Sequence, residues 1–192
     1  MPSWQQPPPM HCFPLTDSTV LEFYEYLFAP WVKGLGIRDF LVKRGEVAAV
    51  LPQNDSLKFA SGAVCGQVIM AAIDTVASLA MATTERVPKG TVYQHTHFIR
   101  PALNDDLKIE AKVLRFGKSS AFAEGRATFA SSGEIVAHAS LSSRFEGIDR
   151  FVPQRGSGRP DKQIKLGHVM RRFYEHTPRF RSRDEQFARR RN

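Results

Sequence analysis

The sequence predicts an α+β fold in which a curved antiparallel sheet wraps one long central helix. A further helix precedes this unit and a basic extension follows it. Three observations carry the prediction. Residues 62–82, GAVCGQVIMAAIDTVASLAMA, are apolar or small throughout and carry one charge, Asp74. Beyond Pro88 the chain reads as four consecutive strands, three of them closely alternating. Between residues 16 and 31 the apolar residues recur at spacings of three and four. A helix that is apolar nearly all round has to be enclosed, and a curved meander can enclose it.

The elements follow in order. Residues 1–15 hold Pro2, Pro7, Pro8, Pro9 and Pro14 without periodicity and read as a Pro-rich lead-in. Thr19-Val-Leu-Glu22 has the spacing of a capping box and starts a helix whose apolar face is Val20, Phe23, Tyr24, Leu27, Phe28 and Trp31. Pro30 kinks or ends it, and Gly34 and Gly36 close it off. Two short strands, IRDFLVK and EVAAVLP, meet at Arg44-Gly45. A polar loop, QNDSLKFAS, leads into the apolar run, which reads as a helix of about twenty residues because Ala, Met, Leu and Ile favour that state. TVYQHTHFIRP then alternates approximately. DLKIEAKVLRF alternates strictly, with Leu107, Ile109, Ala111 and Val113 on one face. SSAFAEGRATFA and EIVAHASLSSRF continue the pattern across tight turns at Gly117-Lys118 and Ser132-Gly133. The folded domain is thus expected over 16–147, with a basic extension over 148–192.

The net charge of +8 is unevenly placed. Residues 1–154 are neutral, whereas 155–192 hold twelve Lys and Arg against four Asp and Glu. Arginines interspersed with Phe173, Tyr174, Phe180 and Phe187 fit a nucleic acid or an acidic surface, and they fit equally a solvated extension packing a few aromatics. The second reading is simpler and is the one favoured here. Cys12 and Cys65 make no disulfide or zinc spacing, which points to a reduced, cytoplasmic protein. The opening MPSWQQPPPM lacks the features of a signal peptide, and Asp74 interrupts the long apolar run, so no membrane span is expected. His95 and His97 share a strand face without a third ligand, and no metal is assigned.

Asp74 is the residue that calls for a reason. An ionised carboxylate in an apolar helix is costly unless it is paired or shifts its pKa, and perturbed carboxylates cluster at functional sites. A structural carboxylate tied to a neighbouring strand is the competing explanation.

Several motifs occur in one order around it. Gly62-Ala-Val-Cys65-Gly66-Gln67 opens the helix, Asp74 follows nine residues after Cys65, and a later strand ends Phe98-Ile-Arg100-Pro101. Over about 18–146 the chain resembles the hotdog-fold thioesterases of the phenylacetic-acid-pathway (PaaI-like) type. Their pattern is Gly-x-x-His-Gly-Gly, an Asp nine residues after the His, and a strand ending Phe-x-Arg-Pro. Arg115-Phe-Gly-Lys118 resembles the family's Arg-x-Gly-Arg turn. This sequence departs from the pattern in having Cys65 for the histidine and Gln67 for the second glycine. It lacks an asparagine at Phe59, for which Asn54 is a substitute in the same loop.

The resemblance implies a hotdog fold and hydrolysis of acyl-CoA thioesters to free acid and CoA, with CoA entering as part of the substrate and no other cofactor. Such chemistry needs a base or nucleophile at the carbonyl carbon and donors at its oxygen. Asp74 supplies the first. The amides of Cys65, Gly66 and Gln67 at the helix start supply the second, with Gly66 permitting close approach. Gly66 and Asp74 lie about 12 Å apart along one helix at roughly 1.5 Å per residue. Two antiparallel helices from two subunits bring them together, so a homodimer, or a dimer of dimers, is expected. Gln67 shares the Asp74 face and can orient water or the thioester oxygen. Thr91 matches a Ser/Thr position that in relatives helps hold the catalytic water. For both, an ordinary structural role accounts for the residue equally well. Cys65 is a candidate substrate contact; a thiol at a helix start can be reactive, but no base accompanies it and small-residue packing is favoured. Arg100, Arg115 and Lys118 are candidates for the CoA phosphates. Two other classes stay open: a hotdog protein that binds acyl-CoA or another ligand without hydrolysis, and a nucleic-acid-associated protein acting through 155–192.

Overall fold

The computed structural model describes residues 9–84 and 86–147. Most of the Pro-rich lead-in, and the basic extension over 148–192 with its aromatic and arginine residues, lie outside the described residues.

Six strands form one antiparallel sheet: β1 (Arg38–Lys43), β2 (Glu46–Leu51), β3 (Arg86–Phe98), β4 (Leu107–Phe116), β5 (Ser120–Phe129) and β6 (Ile135–Gly147). Their order is β1-β2-β4-β5-β6-β3. The expected meander of four strands therefore holds for β4, β5 and β6, but β3 does not pair with β4. It lies beyond β6 at the edge, while β4 pairs with β2. Alternation identifies a strand's faces and says nothing of its neighbours, so this crossover was not readable. The edge position also explains how Pro88 fits inside β3. A residue without an amide hydrogen is tolerated at an edge, and the ladder is bulged there, between Pro88 and Gly90.

Three helices pack with the sheet: α1 (Val20–Leu27), α2 (Pro30–Lys33) and α3 (Gly66–Ala82). The sheet face toward α3 is built from Val47, Ala49 and Leu51 of β2, Leu107, Ile109 and Ala111 of β4, Ala121, Ala123 and Ala127 of β5, and Ala137, Ala139 and Leu141 of β6, all buried. The central strand is lined by small residues for a reason of distance. A Cβ on Gly125 would stand 2.3 Å from Cγ2 of Ile73, closer than atoms can approach. Glycine at this point of β5 lets the long helix sit directly on the sheet.

Four local expectations are corrected. The long helix begins at Gly66 rather than Gly62, because Gly62 adopts φ +85° and Val64 bridges to Lys58. The Thr19 side chain makes no cap bond to α1; it accepts from the Thr16 amide at 3.1 Å and donates to the Cys12 carbonyl at 3.3 Å. Pro30 ends the first helical run and starts a new turn as its first residue, which rotates the phase. Val32 is buried as a result and Trp31 is 64% exposed, not part of the apolar face. Finally, residues 10–15 are not a mere lead-in. Cys12 and Leu15 join the core, and the Leu15 amide donates to the Ala82 carbonyl at the end of α3.

Among the described residues, no helix is long and apolar enough to cross a membrane.

Candidate active site

The site is built on α3, whose only ionisable side chain is Asp74. Around it the helix is nearly all buried, including Ala72, Ile73, Thr75, Val76 and Ala77. One stripe is not: Gln67 is exposed, and Met70, Ala71 and Asp74 are only partly covered. These positions fall at i, i+3, i+4 and i+7, one face of a helix that the chain's own sheet leaves open.

Strand β3 supplies the partner of the carboxylate. The Thr91 hydroxyl donates to Oδ1 of Asp74. Burial pushes the Asp74 carboxyl above the usual carboxylate range, and the Thr91 hydrogen bond offsets part of that rise. Behind Thr91, on β6, the Ser143 hydroxyl lies 3.4 Å from Thr91 Oγ1. Four residues before Asp74, the Met70 carbonyl accepts from Nε2 of Gln94 at 3.2 Å, which pins β3 against the same helix.

At the helix start, Gly66 N–H and Gln67 N–H have no acceptor among the described residues. The Cys65 amide, read from the sequence as a third donor, is instead committed to the Leu57 carbonyl at 2.9 Å. Two free amides at the positive end of a helix dipole can meet a developing negative charge. The ring of Phe98 covers this point. A Cβ on Gly66 would stand 3.0 Å from Phe98 Cζ.

The remaining candidates are dispersed. Asn54 is exposed, and its Oδ1 accepts from the amide and hydroxyl of Ser56, capping the turn Asp55–Leu57. Arg100 pairs with Glu134 at 2.5 Å. Arg115 is exposed opposite Phe122 in the β4–β5 ladder. Lys118 lines a cavity of about 1240 Å³ with Lys43, Arg44, Arg86, Lys89 and Arg144. Arg86 is held there by the rings of Phe145 and Phe116, 4.2 Å and 5.0 Å from its guanidinium carbon, and donates to the Gly117 carbonyl. Sequence reasoning missed those further cations, Gln94, and Ser143. A serine in register with Ala137, Ala139 and Leu141 was a readable signal, because a polar residue on an apolar strand face needs a partner.

Among the described residues, one group of three metal-ligating side chains converges: His11, Cys12 and Glu22, with ligand atoms within 4.8 Å of one another. His11 and Glu22 already pair at 2.9 Å, and burial with the Glu22 charge pushes the Cys12 thiol up. His95 and His97 stack at 4.4 Å on an exposed stretch of β3.

Comparison with known proteins now identifies the architecture. Residues 61–136 match the family model of the thioesterase superfamily. Thioesterase superfamily member 2 from zebra fish superposes with a TM-score of 0.61 at 22% identity, covering 68% of this chain and 98% of that one. A thioesterase protein from Streptococcus pneumoniae, solved with coenzyme A, gives a TM-score of 0.59 at 15% identity, over 66% of this chain and 97% of that one. A conserved protein from Pseudomonas aeruginosa gives 0.58 at 19%, over 64% and 98%.

The fold is the hotdog fold. No curated protein matches the sequence. Within this hotdog domain the matched segment spans the Cys65-Gly66-Gln67 helix start, Asp74, Thr91 and strands β3 to β5, whereas Asn54, Ser143 and Arg144 lie outside it.

Proposed function

We propose that this chain is an acyl-CoA thioesterase of the PaaI-like type. The observation that carries the reading is Asp74. Its carboxyl is raised by burial, held by Thr91, and placed on the one stripe of α3 that the protomer's own sheet leaves open. A group with these properties suits proton abstraction or attack near neutral pH better than a structural role on a dry core face. The coenzyme A in the pneumococcal hotdog structure supports the substrate class.

In the hydrolytic step, Asp74 takes a proton from water as the water oxygen bonds to the thioester carbon. The carbonyl oxygen becomes an oxyanion, and Gly66 N–H and Gln67 N–H donate to it. Collapse of the tetrahedral intermediate breaks the C–S bond, and the CoA thiolate leaves and takes up a proton. The alternative course has Asp74 attack the carbon directly, with water then cleaving the anhydride. Both need the carboxylate and the amides on opposite sides of one carbon, and a single helix holds them about 12 Å apart. Two copies related by a twofold axis solve this, with Asp74 of one protomer facing Gly66 of its partner. The open stripe on α3 and the apolar edge strand β3, where Val92, Tyr93 and Phe98 are exposed, support such a dimer. The cations around Lys118 are the proposed seat of the nucleotide phosphates, with Arg115 nearby in sequence. Arg100, paired with Glu134 at the surface, is a further candidate for those phosphates.

The test is a panel of acyl-CoAs of increasing chain length with a thiol-detecting reagent, run on the full chain. Thiol release that Asp74→Asn abolishes is the expected result. Tight acyl-CoA binding without thiol release would overturn it in favour of a non-hydrolytic binding protein. Equilibrium sedimentation showing a stable, active monomer would remove the dimer.

A further inference from the structure

We propose that Ser143 is a positioning residue that acts on Asp74 through Thr91, forming a one-way relay from β6 across β3 to α3. The inference rests on the hydrolase reading for its consequence and on geometry for its existence. Ser143 is 2% exposed, and its hydroxyl has one hydrogen-bonding partner among the described residues, Thr91 Oγ1 at 3.4 Å. Thr91 Oγ1 in turn contacts Asp74 Oδ1.

The direction of the relay follows by elimination. An ionised carboxylate only accepts, so the single Thr91 proton goes to Asp74. Thr91 Oγ1 then has only acceptor capacity left. The buried Ser143 hydroxyl has no other partner, and leaving its proton unsatisfied would be costly, so it donates to Thr91. The order is Ser143 O–H to Thr91 Oγ1, and Thr91 O–H to Asp74 Oδ1. A hydroxyl that accepts one bond donates a stronger one. Ser143 therefore fixes the rotor of Thr91 and strengthens its donation, which leaves Oδ2 of Asp74 for the reacting water or carbonyl carbon.

Among the described residues, no other titratable group contacts Asp74. Asp74 is the one ionisable residue of α3, and the α3-facing positions of β2, β4, β5 and β6 are uncharged. On β3 the group that meets Asp74 is Thr91, while His95 and His97 are exposed.

The test uses the full chain labelled with 13C at aspartate carboxyls, the Asp74 resonance being assigned by its loss in Asp74→Asn. In Ser143→Ala the Asp74 titration midpoint moves to higher pH, and kcat falls about three- to tenfold with KM little changed. Ser143→Thr restores both. Should Ser143→Ala fail to fold, Ser143→Cys carries the same test, since a thiol of similar size is a weak donor. An unmoved midpoint overturns the relay whether or not the chain hydrolyses thioesters, and a lowered Tm with unchanged midpoint and kcat marks Ser143 as structural only. A moved midpoint with wild-type kcat overturns its part in the reaction. Absence of hydrolysis in the wild-type chain overturns the hydrolase reading instead, and the titration still decides the relay.

Discussion

The Thr91 hydroxyl donates to Oδ1 of Asp74, tying the edge strand β3 to the middle of α3. This bond stabilises the charged form of a carboxylate whose pKa burial raises. Thr91→Val keeps the shape and removes the donor. It lowers kcat about ten- to a hundredfold, the range for hydrogen bonds to charged groups. Because the lost bond was the influence lowering the pKa, the acid limb of the pH–rate profile moves to higher pH. Thr91→Ser keeps most of the activity. Steady-state kinetics from acid to neutral pH read both effects.

Asp74 also makes a prediction about stability, with a definite sign. Its folded pKa lies above its unfolded value. Between the two, the folded state holds a proton that the unfolded state has released, so stability falls as pH rises through this window. Above the folded pKa the full cost of a buried carboxylate is present. Asp74→Asn removes that cost while still accepting from Thr91. Its Tm therefore exceeds wild type at neutral pH, the gap closes on acidification through the folded pKa, and hydrolysis is lost at every pH. Thermal unfolding measured over a pH series checks the sign.

Gly125 is fixed by Ile73, whose Cγ2 occupies the place of a Cβ. Gly125→Ala overpacks the helix–sheet contact and costs about 1–3 kcal/mol. Ile73→Ala alone also destabilises, through the cavity it leaves. The double variant loses less than the two single losses together, because the new methyl enters the space Ile73 vacated. Chemical denaturation of the four proteins in the cycle measures this coupling.

Two explanations for glycine at position 66, packing and approach of the substrate, can be told apart. A Cβ there meets the Phe98 ring at 3.0 Å, and Phe98 is 51% exposed and free to give way. Gly66→Ala therefore leaves Tm near the wild-type value. It still lowers kcat if the thioester oxygen approaches the Gly66 amide, since the methyl stands beside that path. Adding Phe98→Ala relieves the ring contact but does not restore kcat. Full recovery in the double variant would assign the glycine to packing alone.

Much of this protein was legible from its residues. Period-two alternation placed β4 and its buried Leu107, Ile109 and Ala111, and composition placed α3. The spacing of Cys65-Gly66-Gln67, Asp74 and Phe98-Ile-Arg100-Pro101 carried the resemblance to hotdog thioesterases. Local pattern failed where a polar group had a competing partner. The Cys65 amide went to Leu57, the Thr19 side chain went to Thr16 and Cys12, and Asn54 went to its own turn. It failed again at Trp31, where Pro30 reset the helical phase.

What the sequence by itself determined was which residues must be buried, which strand faces are apolar, and that Asp74 stands alone among them. These follow from periodicity and the cost of burying charge, both properties of the chain read in one dimension. What the tertiary structure decided was who meets Asp74. Thr91 reaches it, and Ser143 reaches Thr91, because β3 crosses over to pair with β6 instead of β4. Strand order is a choice among long-range pairings that satisfy the same alternation, so no local signal encodes it.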